Sequence, residues 1–397
     1  MAARRYTEAE RCFRAALDAE PDHAPTLNNL AVALHELGRL AEAENILRDV
    51  IARAPDYAAA HFNLGRVHLE ADELGSALAC FEQVLRRNPA DAATLAMIGA
   101  ALERRGEFRE AEEYFAEAAQ FAPAYAVTEM LRFSADFLRL IAAAGRPVPP
   151  PQPLLAPQSP RTPESVVVVT CDPQYLRKYG QAFARSYAAS AREADLLHLH
   201  VLDPDERILA EAQILLERAG ILHCCVSSER DARFAAGSAQ KRIWFTCARF
   251  RHLGAWLQAY GVPIVVLDID AALQAPVADL VAAAGGADLG LFLRRPRRAP
   301  WLDLVANTLV ARPTVAAQEY LRLVRNYIDY FLGRGQPRWH LDQCALYCTL
   351  RMLEAQAGAP AVAWITDAIQ ASVYHVGNQH DQRMADARYA RFAAERR

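Results

Sequence analysis

The first 125 residues repeat with a strict period of 34. Proline recurs at positions 21, 55, 89 and 123, and alanine at positions 9, 43, 77 and 111. When the repeats are aligned on this period, one column holds the large apolar residues Phe13, Leu47, Phe81 and Phe115. Another column holds the small residues Ala31, Gly65 and Gly99. Small residues let two helices approach closely, while large ones fill the space between them. Because one unit of this length cannot bury its apolar face alone, the period predicts a solenoid of stacked helix pairs.

These columns resemble the tetratricopeptide repeat, whose unit is a helix-turn-helix of the same length. The resemblance covers three complete units, 24–57, 58–91 and 92–125, preceded by the second helix of another unit, and residues 126–144 are expected to cap the array. The incomplete first unit fits a longer ancestral array, a shortened gene model or self-association through the exposed side, and the sequence does not decide between them. The family implies a concave surface for a peptide or partner protein. Asn29 and Asn63 share a column that is similar to a peptide-binding asparagine ladder, with solvated surface residues as the alternative.

The composition limits the number of domains and the kinds of partner that the chain can have. The chain has 397 residues, 53% of them hydrophobic and 23% charged, with a net charge of -3. It is long enough for two or three domains, and this charge gives no signature of nucleic-acid binding. No apolar run reaches the length of a membrane span, and the start lacks the apolar core of a secretion signal. We therefore expect a cytoplasmic protein without a membrane span.

A proline-rich segment separates two regions of different pattern. Residues 145–164 carry a proline density that favours extended geometry and is expected to exclude helix and sheet. From Ser165 to Leu267 strand-like runs alternate with helical patterns, which predicts a parallel sheet with helical crossovers. The predicted domains are thus repeats with a capping helix over 1–144, a linker over 145–164 and an α/β domain over 165–397.

Acidic residues follow two of the predicted strands. Asp172 comes after the run that starts at Ser165, and Asp268 and Asp270 follow Ile264-Val-Val-Leu267. Ligands of parallel sheets bind beyond the carboxyl ends of the strands. If the strand continues through both aspartates, residues i and i+2 face one side, so their oxygens could hold Mg²⁺ or Mn²⁺ against a diphosphate. A solvated turn is the alternative. No glycine-rich phosphate loop follows the first strand, which disfavours dinucleotide and P-loop sites.

The segment from Thr246 to Leu273 resembles the core of GT-A glycosyltransferases, which transfer sugars from nucleotide diphosphates. It combines Ala248-Arg-Phe250 on a predicted helix, a Tyr-Gly-x-Pro turn and a strand that ends in Asp-x-Asp. The resemblance, strongest to the glycogenin-like and bacterial galactosyltransferase branch, covers roughly residues 165–380. It implies an α/β GT-A fold after the all-α repeats.

Residue roles follow from the resemblance. Thr170, Asp172, Arg249, Asp268 and Asp270 map to the nucleotide-sugar donor site. The metal ligands map to Asp268, Asp270 and His375, and a histidine ligand would favour manganese over magnesium. Asp342, Gln343 and Arg249 map to the catalytic positions, and Asn307 and Asp342 map to the acceptor side. From the residues alone, Arg249 could equally form a surface ion pair, His375 could be a core histidine, and Asp342 could cap a helix.

The function expected from these features is metal-dependent glycosyl transfer from a nucleotide sugar, with UDP favoured by the resemblance. The acceptor would be a protein or peptide recruited by the repeats. Two alternatives remain open at this point. One is a non-catalytic repeat scaffold with a degenerate transferase-like domain. The other is a nucleotidyltransferase, which also uses paired aspartates but is disfavoured by the missing glycine-rich loop.

Overall fold

The computed structural model describes residues 2–144, 149–157, 161–231, 239–293, 304–335, 337–356 and 359–375. The chain divides into two compact units. The first runs to Ser134, and the second begins at Ala135 and contains the sheet.

The first unit is a series of helices joined by short turns. The predicted turn residues Gly38, Asp72 and Gly106 all have left-handed backbone angles, with φ of 78°, 64° and 80°. This conformation reverses the chain between the two helices of each repeat, as the period predicts. The helices are α1 (Ala2–Ala19), α2 (Ala24–Glu36), α3 (Leu40–Arg53), α4 (Ala58–Glu70), α5 (Leu74–Leu85), α6 (Ala92–Arg104) and α7 (Phe108–Phe121), followed by a 3-10 helix (Pro123–Met130).

The two columns of small and large residues meet in the core of the repeats. A Cβ atom built on Gly65 would lie 2.6 Å from the ring of Phe81, and one built on Gly99 would lie 2.9 Å from the ring of Phe115. Both phenylalanines are fully buried. The glycines therefore set the distance at which α4 packs on α5 and α6 packs on α7. The predicted packing of the repeat is confirmed.

This packing gives a direct test of the repeat core. We expect Gly65→Ala to destabilise the first unit by about 1–3 kcal/mol, because the added methyl group overpacks a core that cannot shift. Gly75 lies in α5, and a Cβ atom built on it would meet nothing within 4 Å beyond its own stretch of helix. Gly75→Ala is the matched control and should leave stability unchanged or slightly increased. Urea unfolding of both variants measures the difference. Equal stabilities would show that Gly65 does not limit the helix contact.

The structural boundary differs from the predicted one. Helix α8 (Ala135–Ala143) falls in the second unit, so the predicted cap over 126–144 is divided. It packs on α13 (Val315–Gly333), where the ring of Phe137 lies 5.4 Å from Tyr327 and 5.0 Å from Tyr330. Asn326 also donates a hydrogen bond to the carbonyl of Ile141 at 2.8 Å. An aromatic surface on α13, distant in sequence, thus binds a helix that local pattern assigns to the repeats.

The second unit is a mixed α/β fold. Its central sheet has the strand order β1-β4-β3-β2-β5-β8-β7-β9, and β6 pairs separately with β10. The strands are β1 (Pro153–Leu155), β2 (Ser165–Cys171), β3 (Asp195–Leu202), β4 (Cys224–Glu229), β5 (Ile264–Asp268), β6 (Ala271–Leu273), β7 (Leu289–Leu293), β8 (Leu304–Ala311), β9 (Val362–Trp364) and β10 (Val373–His375). The other helices are α9 (Pro173–Ser190), α10 (Ile208–Arg218), α11 (Ala239–Tyr260), α12 (Val277–Ala283), α14 (Leu341–Glu354) and α15 (Thr366–Ser372).

The predicted alternation of strands and helices from β2 to β5 and the parallel direction of these strands are confirmed, and the strands after β5 add antiparallel pairs. Strands β2 to β5 are parallel, whereas β8 runs antiparallel to both β5 and β7. The linker also contributes β1, which pairs antiparallel with β4. Proline is tolerated at the start of an edge strand because no neighbour needs its missing N–H. The expectation that the linker excludes sheet is therefore wrong for its described part.

Within the described residues, no helix combines the length and apolar character that a membrane crossing requires.

Candidate functional site

The sheet has a topological switch point at β2. The chain proceeds from β2 outward to β3 and β4, and then returns to the other side of β2 to form β5. Thr170 near the end of β2 pairs in register with Asp268 at the end of β5. Ligands of open α/β sheets bind in the crevice that forms beyond the carboxyl ends at such a point. The structure thus confirms that the predicted acidic residues follow strands ending at one edge, and it places this edge at the switch point.

Arg249, which is buried, forms an ion pair with the partly exposed Asp268 at this edge. Arg249 lies on α11 and is only 6% exposed. Its Nη1 donates to Asp268 Oδ1, and its Nε donates to the carbonyl of Thr246 at 3.2 Å. Burial alone would lower the pKa of Arg249, but the charges of Asp268 and Asp342 outweigh it and raise the pKa. Arg249 therefore stays charged and fixes the orientation of Asp268.

The expected extended geometry of Asp-x-Asp is wrong in one respect. Strand β5 ends at Asp268, residues 269 and 270 form a turn, and β6 starts at Ala271. Asp270 therefore belongs to the turn that leads away from the edge, and the i, i+2 rule for strands does not apply to the pair. A tight turn between two buried strands still keeps both carboxylates at the exit of β5.

Asp342 approaches the same arginine from α14. Its Oδ2 lies 3.7 Å from Arg249 Nη2, and its Oδ1 accepts a hydrogen bond from the backbone N–H of Gln343 at 2.9 Å. His340, which precedes the helix, has a left-handed backbone with φ of 72°. Such strain in a non-glycine residue is concentrated at functional sites. Asp342 lies one residue inside α14, and its bond with the Gln343 N–H satisfies a backbone amide of the first turn, as the helix-capping alternative predicts.

The pKa of Asp342 is raised to about 6. Burial is the largest cause, the charge of Asp268 adds to it, and Arg249 opposes both. Between this pKa and the ordinary value, the folded protein binds a proton that the unfolded chain does not. The ionised form of Asp342 therefore lowers stability at neutral pH, and acidification from pH 7 removes that penalty.

We expect Asp342→Asn to change the pH dependence of stability. In the parent protein, the contribution of Asp342 should grow more favourable by on the order of 1 kcal/mol between pH 7 and pH 5. The asparagine variant should lack this component. The parent protein should therefore gain stability relative to the variant as the pH falls. Urea unfolding at both pH values measures the difference in unfolding free energy between the parent and the variant. A pH-independent difference would contradict the raised pKa.

Three polar side-chain atoms around this edge are buried and have no hydrogen-bond partner among the described residues. They are Thr170 Oγ1, Asn307 Oδ1 and Gln343 Oε1. Thr170 pairs with Asp268 across the sheet, and Gln343 follows Asp342. A buried polar atom without a partner costs about 1–3 kcal/mol. Atoms of this kind gathered on three elements are suited to bind a polar ligand.

Asn307 reaches the edge through an irregularity in β8. Thr308 pairs with Leu267 of β5, which places Asn307 beyond the end of that ladder, next to Asp268. On its other edge, β8 pairs with β7. There Leu291 of β7 pairs with Leu309 but the next residue, Phe292, pairs with Val305, so the β8 residues between them form a bulge. Bulges of this kind redirect side chains and are common next to active sites.

Asp172 has a structural role, and its role in donor binding stays a prediction. It is the N-cap of α9, and its Oδ1 accepts from the backbone N–H of Tyr175 at 2.7 Å. Tyr175 itself was missed by the sequence analysis. It is 48% exposed, and its pKa is raised by burial, by Tyr179, and by the charges of Asp270 and Asp172. An exposed aromatic ring close to both acidic residues offers a stacking surface, and no local sequence signal marks it.

The third predicted metal ligand lies on a neighbouring strand. His375 pairs through β10 with Ala271, the residue that follows Asp270, so its backbone is adjacent to the Asp-x-Asp turn. Its side chain lies outside the described residues. In the described part of the chain, the group of three side chains that could hold a metal ion is a different one, formed by His200, Glu229 and His252.

The predicted peptide-binding asparagines differ in their surroundings. Asn63 Nδ2 donates to Asn28 Oδ1 at 2.9 Å, and Asn63 Oδ1 accepts from Arg66 Nη1 at 3.3 Å. Asn29 is exposed. The carboxamide of Asn63 is therefore engaged within the repeats, and Asn29 is accessible. A peptide-binding role for the two residues stays a prediction.

Comparisons with known proteins concern the first third of the chain. Models of the tetratricopeptide repeat match residues 1–64, 37–98 and 92–122, which confirms the predicted repeats. A comparison with curated protein sequences finds no match.

Several solved structures are similar. They include MamA, with 21% identity over 34% of this chain and 80% of that chain and a TM-score of 0.31. A MamA fragment from Desulfovibrio magneticus has 22% identity over 32% of this chain and 82% of the fragment, with a TM-score of 0.28. The tetratricopeptide protein TTC0263 from Thermus thermophilus has 23% identity over 32% of this chain and 72% of that chain, with a TM-score of 0.30. Likenesses at these TM-scores carry no functional inference.

Proposed function

We propose that the second unit transfers a glycosyl group from a nucleotide-diphosphate sugar in a metal-dependent reaction. The observation that carries this proposal is the convergence at the switch point of Asp268, Arg249 and Asp342 with three buried polar atoms that have no hydrogen-bond partner among the described residues. A nucleotide sugar presents hydroxyl and phosphate groups that suit such a set. The GT-A resemblance around Ala248-Arg-Phe250 and Asp-x-Asp supports this reading and favours UDP as the carrier.

The acidic residues fit a divalent cation. Asp268 uses Oδ1 for Arg249, which leaves its second oxygen for another partner, and Asp270 lies in the adjoining turn. Carboxylates together with phosphate oxygens are the usual ligands of Mg²⁺ and Mn²⁺. Asp268, Asp270 and His375 would hold the ion, and when bound it supplies Lewis acidity to the leaving diphosphate.

The protein side chains around the acidic pair have separate roles. Arg249 holds Asp268 in place and keeps a positive charge near the edge where the phosphates would lie. Asp342, which has a raised pKa, and Gln343 line the opposite side from α14 and could bind sugar hydroxyls or face the anomeric carbon. Thr170 and Tyr175 would contact the nucleoside, and Asn307 would contact the acceptor.

The first unit supplies a recognition surface in this proposal. Tetratricopeptide repeats typically bind proteins or peptides through the concave side of the solenoid. We therefore propose that the acceptor, or a protein that carries it, is recruited by the repeats. Asn29 offers an exposed carboxamide for that contact.

A panel of nucleotide sugars tests the proposal. The purified full chain should hydrolyse at least one nucleotide sugar slowly without an acceptor, and this activity should depend on added manganese or magnesium. Calorimetry with UDP and manganese should show binding of both. If neither UDP nor metal binds and no sugar nucleotide is turned over, the proposal fails and the non-catalytic scaffold is the better explanation.

A further inference from the structure

A second group of ligand-type side chains lies in the sheet unit, apart from the Asp-x-Asp turn. His200 on β3, Glu229 at the end of β4 and His252 on α11 present two imidazole nitrogens and one carboxylate oxygen within 4.8 Å of one another. Glu229 Oε2 lies 2.8 Å from His252 Nε2 and 3.7 Å from His200 Nε2. His200 is fully buried, and His252 is 3% exposed. We call these three residues the His-Glu-His cluster.

A chain of hydrogen bonds orients His200 from its far side. His200 Nδ1 lies 2.8 Å from Ser227 Oγ, which lies 2.7 Å from His198 Nε2, and His198 Nδ1 lies 3.1 Å from the hydroxyl of Tyr260. When His200 Nδ1 donates to Ser227, the hydroxyl of Ser227 donates to His198, and His198 donates to Tyr260. Every contact of the chain is then satisfied, and His200 Nε2 is left with its lone pair. A partner of this kind on the other ring nitrogen is typical of histidine metal ligands.

The lone pair of His200 then faces a carboxylate oxygen across a gap too wide for a hydrogen bond. Hydrogen bonds of this type span about 2.7–3.2 Å, whereas the separation is 3.7 Å. His200 Nε2 is buried and has no hydrogen-bond partner among the described residues. His200 is fully buried and Glu229 is only 19% exposed, so two acceptors that face each other here repel one another, and a cation between them turns the repulsion into attraction.

The charges around the cluster also favour a cation. Glu229 Oε1 accepts from Arg251 Nη1 at 3.0 Å, and Arg251 also pairs with Asp329 at 2.9 Å and Asp231 at 3.7 Å. Three carboxylates therefore surround one guanidinium. A divalent cation bound at the cluster would add positive charge beside these carboxylates.

We propose that the His-Glu-His cluster binds a zinc ion. Zinc takes two imidazole nitrogens and a carboxylate oxygen at about 2.0–2.2 Å in tetrahedral geometry, so its ligand atoms lie about 3.3 Å apart. The 2.8 Å contact between Glu229 and His252 is a hydrogen bond that the ion would replace, and the 3.7 Å gap between Glu229 and His200 is wide enough for the ligand separation that zinc requires. The ion links β3, β4 and α11, and its fourth position is left for water. Neither the repeats nor the proposed sugar transfer requires it.

Metal analysis of the full chain tests the proposal. After dialysis against excess zinc and removal of free ion, elemental analysis should find one zinc per chain that is retained when Asp270 is replaced by alanine. His252→Gln and Glu229→Gln should lose it, and Ser227→Ala should weaken zinc binding about 10- to 100-fold. His223→Gln is the matched control, since His223 is a buried histidine outside the cluster.

A measurement without substitutions guards against variants that fail to fold. Cobalt added to the metal-free parent protein should give the visible absorption bands of a tetrahedral site with nitrogen and oxygen ligands, without a thiolate charge-transfer band, and zinc should displace it. Chelation should lower the melting temperature. No stoichiometric zinc and no cobalt bands would overturn the proposal. Loss of zinc in Asp270→Ala but not in His252→Gln would also overturn it, because the ion would then occupy the sheet edge.

Discussion

Replacing Asp270 by alanine is expected to lower the turnover of a nucleotide sugar by about two to three orders of magnitude. The carboxylate of Asp270 lies in the turn after β5, where it would help to hold the cation that stabilises charge on the diphosphate as the glycosyl bond breaks. Because this charge develops in the transition state, the loss should be larger in kcat than in the affinity for the donor. Steady-state kinetics at saturating manganese with the donor identified in the panel gives both values.

Asp279→Ala is the control for this substitution. Asp279 is an exposed residue in the first turn of α12, so the same chemical change is made in the same unit away from the sheet edge. The control should keep the activity of the parent protein. Full activity of Asp270→Ala on every nucleotide sugar that the parent turns over would show that Asp270 has no part in the reaction.

The sequence predicts the features of this protein that nearby residues encode. The 34-residue period contains its own helix contacts, so the columns of Gly65 and Phe81 could be assigned to facing helices from the repeat alone. The valine-rich run of β2 and the apolar run before Asp268 each mark a buried strand by composition alone. The shared edge then follows, because strands that run parallel in one sheet end on the same side, whereas the strand order that makes it a switch point comes from the structure.

Other features depend on contacts that no local pattern records. The direction of β8 is set by its pairing with β5, and an apolar run reads the same in either direction. Helix α8 is amphipathic, but which unit it joins is decided by the aromatic rings of α13. The His-Glu-His cluster comes from three separate elements and has no characteristic spacing, so the sequence analysis missed it. The turn at Asp270 was the alternative interpretation of Asp-x-Asp, while the metal site was argued from a strand that continues.

Removing the charge of Arg249 is expected to cause the largest loss of stability. Arg249→Met should destabilise the second unit by about 3–5 kcal/mol, because it leaves Asp342 buried without its cationic neighbour and removes the partner of Asp268. Arg249→Lys should recover only part of this loss. A lysine keeps the charge, but it cannot make the two-sided contact of the planar guanidinium. Urea unfolding, monitored by a signal from the second unit, measures the loss of unfolding free energy in each variant.

A double-mutant cycle separates this electrostatic effect from lost packing. In Arg249→Met/Asp342→Asn no ionised carboxylate is left at position 342, so the double variant should be more stable than Arg249→Met alone. The coupling should be greatest at pH 7 and should weaken as the pH falls toward 5, because Asp342 in the single variant then becomes protonated and its buried charge disappears. Additive losses at both pH values would mean that Arg249 stabilises the fold through packing and through Asp268, with Asp342 taking no part.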